Sequence, residues 1–191
     1  MPVVVWGNGG CIGIGTIMMP FLAQLASQGI VVIANGSPGN VTATFESFET
    51  APRTTAKALT DAIDWAVANA GKGSYGHMDA SRLAAAGQSC GGLEAMTVSS
   101  DPRVSAVGVF NSGSGLIGGK TNLTGVSKPF FFVLGGPTDM AYQYVCTAEI
   151  ERTSPLLTLH ARARLTITTS RPMYPLGKVT CLLDTEVRIT K

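Results

Sequence analysis

Five short, largely apolar runs constrain this chain more than any other feature. They are Val3 to Trp6 (VVVW), Ile30 to Ala34 (IVVIA), Arg82 to Gly87 (RLAAAG), Val104 to Phe110 (VSAVGVF) and Pro129 to Gly135 (PFFFVLG). Continuously apolar strands of this length are buried on both faces, which is the habit of parallel sheets. Helical patterns lie between them, at Thr16 to Ser27, Thr54 to Asn69 and Gly92 to Ser99. In the second, Ala58, Ala62, Trp65 and Val67 fall near one face, and Gly71 suits the C-terminal cap. The alternation predicts an α/β fold, a three-layer, mostly parallel, doubly wound sheet. Ligands of such sheets bind at the carboxyl ends of the strands. That rule brings Gly7 to Gly15, Gly87 to Gly92 and Gly135 to Tyr142 to one functional edge.

The chain has 191 residues, enough for one domain with a sizeable core, and at 45% hydrophobic and 14% charged it reads as globular. No apolar run reaches the roughly 20 residues of a bilayer-spanning helix. Met1 is followed at once by a core-like strand rather than by the basic and apolar regions of a leader. Residues 1–143 hold 7 Lys/Arg against 8 Asp/Glu, whereas residues 144–191 hold 7 against 4, and 22 of the 23 glycines precede Gln143. A boundary is therefore expected there, between a core at 1–143 and an atypical tail at 144–191. The scattered basic residues of the tail lack aromatic interleaving, so nucleic acid is not implied.

A strand that runs into glycines, as PVVVWGNGGCIGIG does from Pro2 to Gly15, serves two chemistries. One cradles a dinucleotide pyrophosphate, the other an oxyanion. The dinucleotide fingerprint counted from Gly7 and Gly9 requires glycine at position 12, which is Ile12, and the second strand ends in Asn35 rather than in an acidic residue. The oxyanion reading gains from the segment RLAAAGQSCGGLEA, Arg82 to Ala95. Here Gly87-Gln88-Ser89-Cys90-Gly91 matches Gly-x-Ser-x-Gly after an apolar strand and before a helix, the context of a nucleophile elbow. The strained turn leaves no room for bulk two positions before or after the serine, and both positions are glycine. An elbow serine needs donors for the oxyanion of a tetrahedral intermediate. The Cys90 amide is the first candidate, and an amide of Gly9, Gly10 or Cys11 the second.

The segments PVVVWGNGGC, FLAQLASQGIVVIANGSP, DASRLAAAGQSCGG and KPFFFVLGGPTDMAYQ together resemble small fungal α/β-hydrolases of the dienelactone-hydrolase, chlorophyllase and polyester-hydrolase branches. The resemblance runs through Gln143 and implies a secreted serine esterase with a small-molecule ester substrate. It makes Ser89 the nucleophile and Asp139, the carboxylate that follows PFFFVLGG, the triad acid. Neither a metal nor an organic cofactor is called for. Such enzymes place a histidine after the acid, and this chain has only His77 and His160. His77 precedes the strand leading to Ser89, so it belongs at the opposite sheet edge. His160 has the required chain order but lacks a glycine-flanked loop. The tail otherwise departs from the family, as translation of a retained intron or a shifted frame would, and early strands are expected ahead of Pro2. The alternative expectation is therefore a truncated, catalytically inactive hydrolase without its triad histidine, keeping at most a ligand-binding role. Loss of that base lowers acylation by on the order of 10⁶-fold in a protease.

The four cysteines have no Cys-x-x-Cys spacing and do not make a zinc site. Cys11 and Cys90 both fall in the oxyanion region, either as a disulfide that fixes two donor loops or as buried thiols. Asn35, Asn40 and Asn122 open N-glycosylation patterns. Trp6 and Trp65 read as core residues, and Met18 and Met19 as acyl-pocket lining or packing of the first helix.

Overall fold

The computed structural model describes residues 1–39, 49–113, 127–133, 139 and 141. Among the described residues five strands form one sheet: β1 (Pro2–Gly7), β2 (Val31–Ala34), β3 (Asp79–Gln88), β4 (Val104–Phe110) and β5 (Phe130–Val133). Their order is β2-β1-β3-β4-β5 and every pairing is parallel. Helices α1 (Met19–Ser27), α2 (Ala56–Asn69) and α3 (Cys90–Thr97) lie between them. The architecture is α/β, as the apolar runs predict. The boundary at Gln143 and the whole tail lie outside the described residues.

The alternation of side chains along each strand sorts the core into two layers. Val3 and Val5, Leu83 and Ala85, and Val107 and Val109 face Leu59, Ile63 and Ala66 of α2 and Ala95 and Met96 of α3. Trp6 and Ala86 face the other way, onto Leu22 of α1, with Phe21, Phe110 and Met18 packed around them. The Trp6, Phe21 and Phe110 rings meet pairwise with centroids 5.2 to 5.4 Å apart and tilted planes. That geometry favours the edges and faces of aromatic quadrupoles. Trp6 and Met18 thus pack the core, while Met19 is exposed.

The α2 stripe differs from the predicted one. Leu59, Ile63 and Ala66 are buried, whereas Trp65 and Val67 are exposed, and Trp65 meets Tyr75 edge to face at 4.8 Å. A helix rotates by about 100° per residue, so the aliphatic i, i+4, i+7 set at 59, 63 and 66 and the set containing Trp65 and Val67 compete for the sheet. The branched chains interdigitate with the valines of the strands, and the indole is left outside. The helix ends as expected, with Gly71 in the left-handed region at φ 76°.

Gly7 pairs with Gly87, Gln88 with Phe110 and Phe110 with Val133. This register aligns the carboxyl ends of β1, β3, β4 and β5 along one rim. The direction of winding reverses between β1 and β3, and the crevice above that reversal is where open α/β sheets hold their ligands.

Ile63→Ala is expected to lose about 2–5 kcal/mol of stability, the cost of a cavity under the sheet. Trp65→Ala should lose about 1 kcal/mol, the worth of an exposed aromatic pair. Urea midpoints of the two variants check the stripe, and the reverse ranking would mean that α2 presents its indole face to the sheet.

Candidate active site

Ser89 stands at the turn from β3 into α3, with φ 53° and ψ −120°. That region is open to glycine and costly for any other residue. Its amide donates to Phe110 O at 2.9 Å, which ties the turn to the end of β4. The turn is tight because Gly87 and Gly91 let backbone meet backbone and Gly92 lets a side chain close on the helix. A Cβ on Gly87 would collide with the Gly91 carbonyl, and one on Gly91 would collide with the Gly7 carbonyl. On Gly92 it would meet Ser112 Cβ at 2.5 Å. Cys90 is the first residue of α3, so its amide is among the donors that an α-helix leaves without an intrahelical partner.

The glycine loop after β1 lies against this turn. A Cβ on Gly9 would press on the Gln88 side chain and stand 3.7 Å from Ser89 Cβ. Gly9–Cys11 forms a short 3-10 turn, with Gly10 at φ 62° and Cys11 at φ 51°. Within it, the Cys11 amide donates to Asn8 O at 3.1 Å and the Ile12 amide to Gly9 O at 3.2 Å. The Cys11 amide is therefore committed to the turn, which leaves Gly9 and Gly10 as the loop's candidate donors. Cys11 and Cys90 are joined by a disulfide with a Cα–Cα distance of 5.1 Å. The disulfide alternative holds, and each cysteine adjoins a candidate oxyanion donor.

Asp139 lies beyond β5, at the same rim. Its Oδ2 accepts from Asn111 Nδ2 at 2.7 Å and its Oδ1 from the Ala141 amide at 3.0 Å. Asn111 follows β4 with φ 46°, and its amide donates to Val133 O at 2.7 Å. The end of β4 thus bonds to Ser89 on one side through Phe110 and to Asp139 on the other through Asn111. His77 precedes Asp79, so the ten residues of β3 separate it from Ser89, roughly 30 Å at the rise of a strand. His160 lies outside the described residues.

Several polar residues of the site escape a reading of the sequence. Asn8, with no exposed surface, accepts from Trp6 Nε1 at 3.1 Å. Its Nδ2 faces the carbonyls of Ile12, Ile14 and Asn35 at 3.2, 2.9 and 3.2 Å. Arg53 Nη1 donates to Gly10 O at 2.6 Å, and the Thr54 amide to Cys11 O at 2.7 Å. Glu94, 5% exposed, accepts from Asn35 Nδ2 at 3.1 Å and from Thr54 Oγ1 at 2.8 Å. Burial pushes its carboxyl above the ordinary glutamate range, against the lowering effect of those two hydrogen bonds. The signal for Glu94 in the sequence is a lone acid in the small and apolar helix CGGLEAMT; nothing local marks Asn8 or Thr54. The Asn35 side chain is buried, so the glycosylation pattern it opens is not accessible to a glycan in the folded protein. Asn40 and Asn122 lie outside the described residues.

Among the described residues no helix is long and apolar enough to cross a membrane. No family model matches the chain, and no curated protein matches it. Among solved structures the chain is similar to EstE1, a thermophilic and thermostable carboxylesterase cloned from a metagenomic library. The TM-score is 0.43 at 20% identity, over 61% of this chain and 40% of that one. The chain thus corresponds to less than half the length of that esterase.

Two outcomes follow from this geometry. Replacing Cys11 and Cys90 together by alanine is expected to cost roughly 2–4 kcal/mol, the usual worth of a bridge closing a long loop. Non-reducing peptide mapping of the parent should return the two cysteines in one linked peptide, and free thiols at both positions would refute the bridge. For Glu94, a raised folded value means a contribution to stability that is full below the ordinary glutamate value and lost as pH rises through the raised one. Asp79, held low by Ser81 and Arg82, and Asp101, held low by Arg103, act in the opposite sense at lower pH. Comparison with Glu94→Gln isolates the first effect. Urea midpoints taken from about pH 4 to about pH 8 should fall relative to those of the glutamine variant as pH rises. Parallel curves would show a Glu94 that ionises as in the unfolded chain.

Proposed function

We propose that the chain carries the catalytic core of a serine hydrolase acting on carboxylic esters, with Ser89 as nucleophile. The observation that supports this reading best is the Ser89 backbone at φ 53° and ψ −120°, between glycines with no room for a side chain. A serine held there costs of order 1–3 kcal/mol. A turn that had only to join β3 to α3 is filled more cheaply by glycine, so the hydroxyl itself is the reason for the residue.

In this reading Ser89 Oγ adds to the ester carbonyl carbon as a base takes its proton. The charge that develops on the carbonyl oxygen is met by the Cys90 amide and by that of Gly9 or Gly10. Collapse of the intermediate breaks the ester C–O bond, and the alcohol leaves with the proton. Water then releases the acid from acyl-Ser89 by the same steps. Asp139 orients the base, and the Asn111 side-chain Nδ2 donates to that carboxylate at the rim. The chain offers one histidine after Asp139, His160. The resemblance of the first 143 residues to fungal α/β-hydrolases supports the same assignment.

A second reading, a hydrolase domain without turnover, is favoured by one observation: no histidine among the described residues shares the rim with Ser89. Labelling of the purified chain with a fluorophosphonate probe separates the two. An active site is labelled in the parent and in neither Ser89→Ala nor His160→Ala, and Asp139→Asn slows labelling by up to about 10⁴-fold. A folded parent that takes no label establishes the inactive domain.

A further inference from the structure

We infer that Glu94 is a positioning residue of the candidate oxyanion loop, acting through Thr54 on the peptide units that carry the Gly9 to Ile12 amides. The inference rests on the proposed function and extends it to a residue that touches no substrate.

Glu94 sits one turn into α3, on the helix that begins beside Ser89, and its carboxyl is walled in. A Cβ on Gly7 would stand 2.8 Å from its Oε2. Its neighbours are the Asn35 side-chain amide and the Thr54 hydroxyl, and the guanidinium of Arg53, next to Thr54 in the chain, donates to Gly10 O. A buried carboxyl without a cation beside it is costly, and a stable core is more cheaply made with leucine. The geometry indicates what the carboxyl does there. Thr54 has one hydroxyl proton, and the shorter of its two contacts is to Glu94, 2.8 Å against 3.2 Å to Cys11 O. Its backbone amide grips Cys11 O at 2.7 Å. Residue 54 therefore bridges the nucleophile helix and the glycine loop.

A planar trans peptide then transmits that grip. Holding Cys11 O fixes the plane of the Cys11–Ile12 peptide, whose N–H points the opposite way and donates to Gly9 O. Holding Gly9 O in turn fixes the Gly9–Gly10 peptide, whose N–H faces away from the inside of the turn and is a candidate oxyanion donor. Glu94 thus sets a donor direction through two rigid planes. Asn35 supplies a second path, since its carbonyl accepts from Asn8 Nδ2 while its side chain donates to Glu94. Asn35 Oδ1 is buried without a partner. An amide turned over would offer that oxygen to a hydrogen on the carboxyl, and a glutamine at 94 supplies such a hydrogen permanently.

The test compares Glu94→Gln, Glu94→Ala and Thr54→Val in the full chain by two readouts. Hydrogen exchange at residues 9–12 should quicken at least tenfold in Glu94→Ala and in Thr54→Val, with residues 83–87 of β3 unchanged, and stay near the parent rate in Glu94→Gln. The saturating rate of fluorophosphonate labelling at Ser89 should fall at least tenfold in the first two variants with the probe's half-saturation concentration unchanged, and recover in the third. Thr54→Val keeps the backbone grip and removes the hydroxyl, with its link to Glu94 and its longer contact to Cys11 O, so it serves where Glu94→Ala does not fold. Loop exchange equal to the parent in Thr54→Val, or a glutamine variant no better than alanine, overturns the inference. A parent that takes no label overturns the proposed function alone, and exchange still decides the role of Glu94.

Discussion

The architecture depends on one close approach, the contact of the β1 end with the turn that follows β3. Gly7, Gly87 and Gly91 meet there with no side chain between their backbones. Because Gly87 and Gly91 yield that space, β3 turns into α3 with Ser89 forced to φ 53°. Because Gly7 yields it, the loop after β1 lies against the start of α3, close enough for Cys11 and Cys90 to join. A single methyl group at any of the three would push the two segments apart. The strained serine, the position of the glycine loop and the disulfide are in that sense consequences of one contact.

The strands and the turn were legible because their causes are local. Apolar runs of four to seven residues between helical patterns have few folds open to them, and Gly-x-Ser-x-Gly between strand and helix has one main use. The α2 face was misread because two apolar stripes run along that helix. Only the valines of β1 and β4 decide that Leu59 and Ile63 fit and Trp65 does not. The candidates for a second oxyanion donor are narrowed by a bond that spans three residues, Cys11 to Asn8, inside a turn whose φ values no pattern of glycines specifies.

The polar framework under the loop was not legible at all. Asn8, Asn35, Thr54 and Glu94 come from the end of β1, the end of β2, the approach to α2 and the middle of α3. Each is an ordinary residue in its own segment. Their hydrogen bonds link positions 27, 40 and 59 residues apart, and only the topology brings them together. The strand order places β2 and β3 on either side of β1, so the loops at their carboxyl ends converge on the β1 loop from both flanks.

That convergence bears on what the site is for. The same strand order serves folds that bind flavin at the β1/β3 reversal, so topology alone does not separate a cofactor crevice from a hydrolytic one. A phosphate cradle spends its loop amides on the ligand. In this loop the amides of Cys11 and Ile12 are spent on the turn, and the carbonyls of Gly10, Cys11, Ile12 and Ile14 are each held by a donor from the protein. The arrangement leaves few amides to offer and fixes them firmly. A site that must meet one developing charge at one point needs that, because donors already in place cost no reorganisation when the charge appears. A buried carboxyl and two buried asparagines make a poor core and a stiff mount. Their concentration beneath the Gly9 to Ile12 turn, with an apolar core along β1 and β3, gives the loop the fixed mount that the proposed oxyanion site would call for.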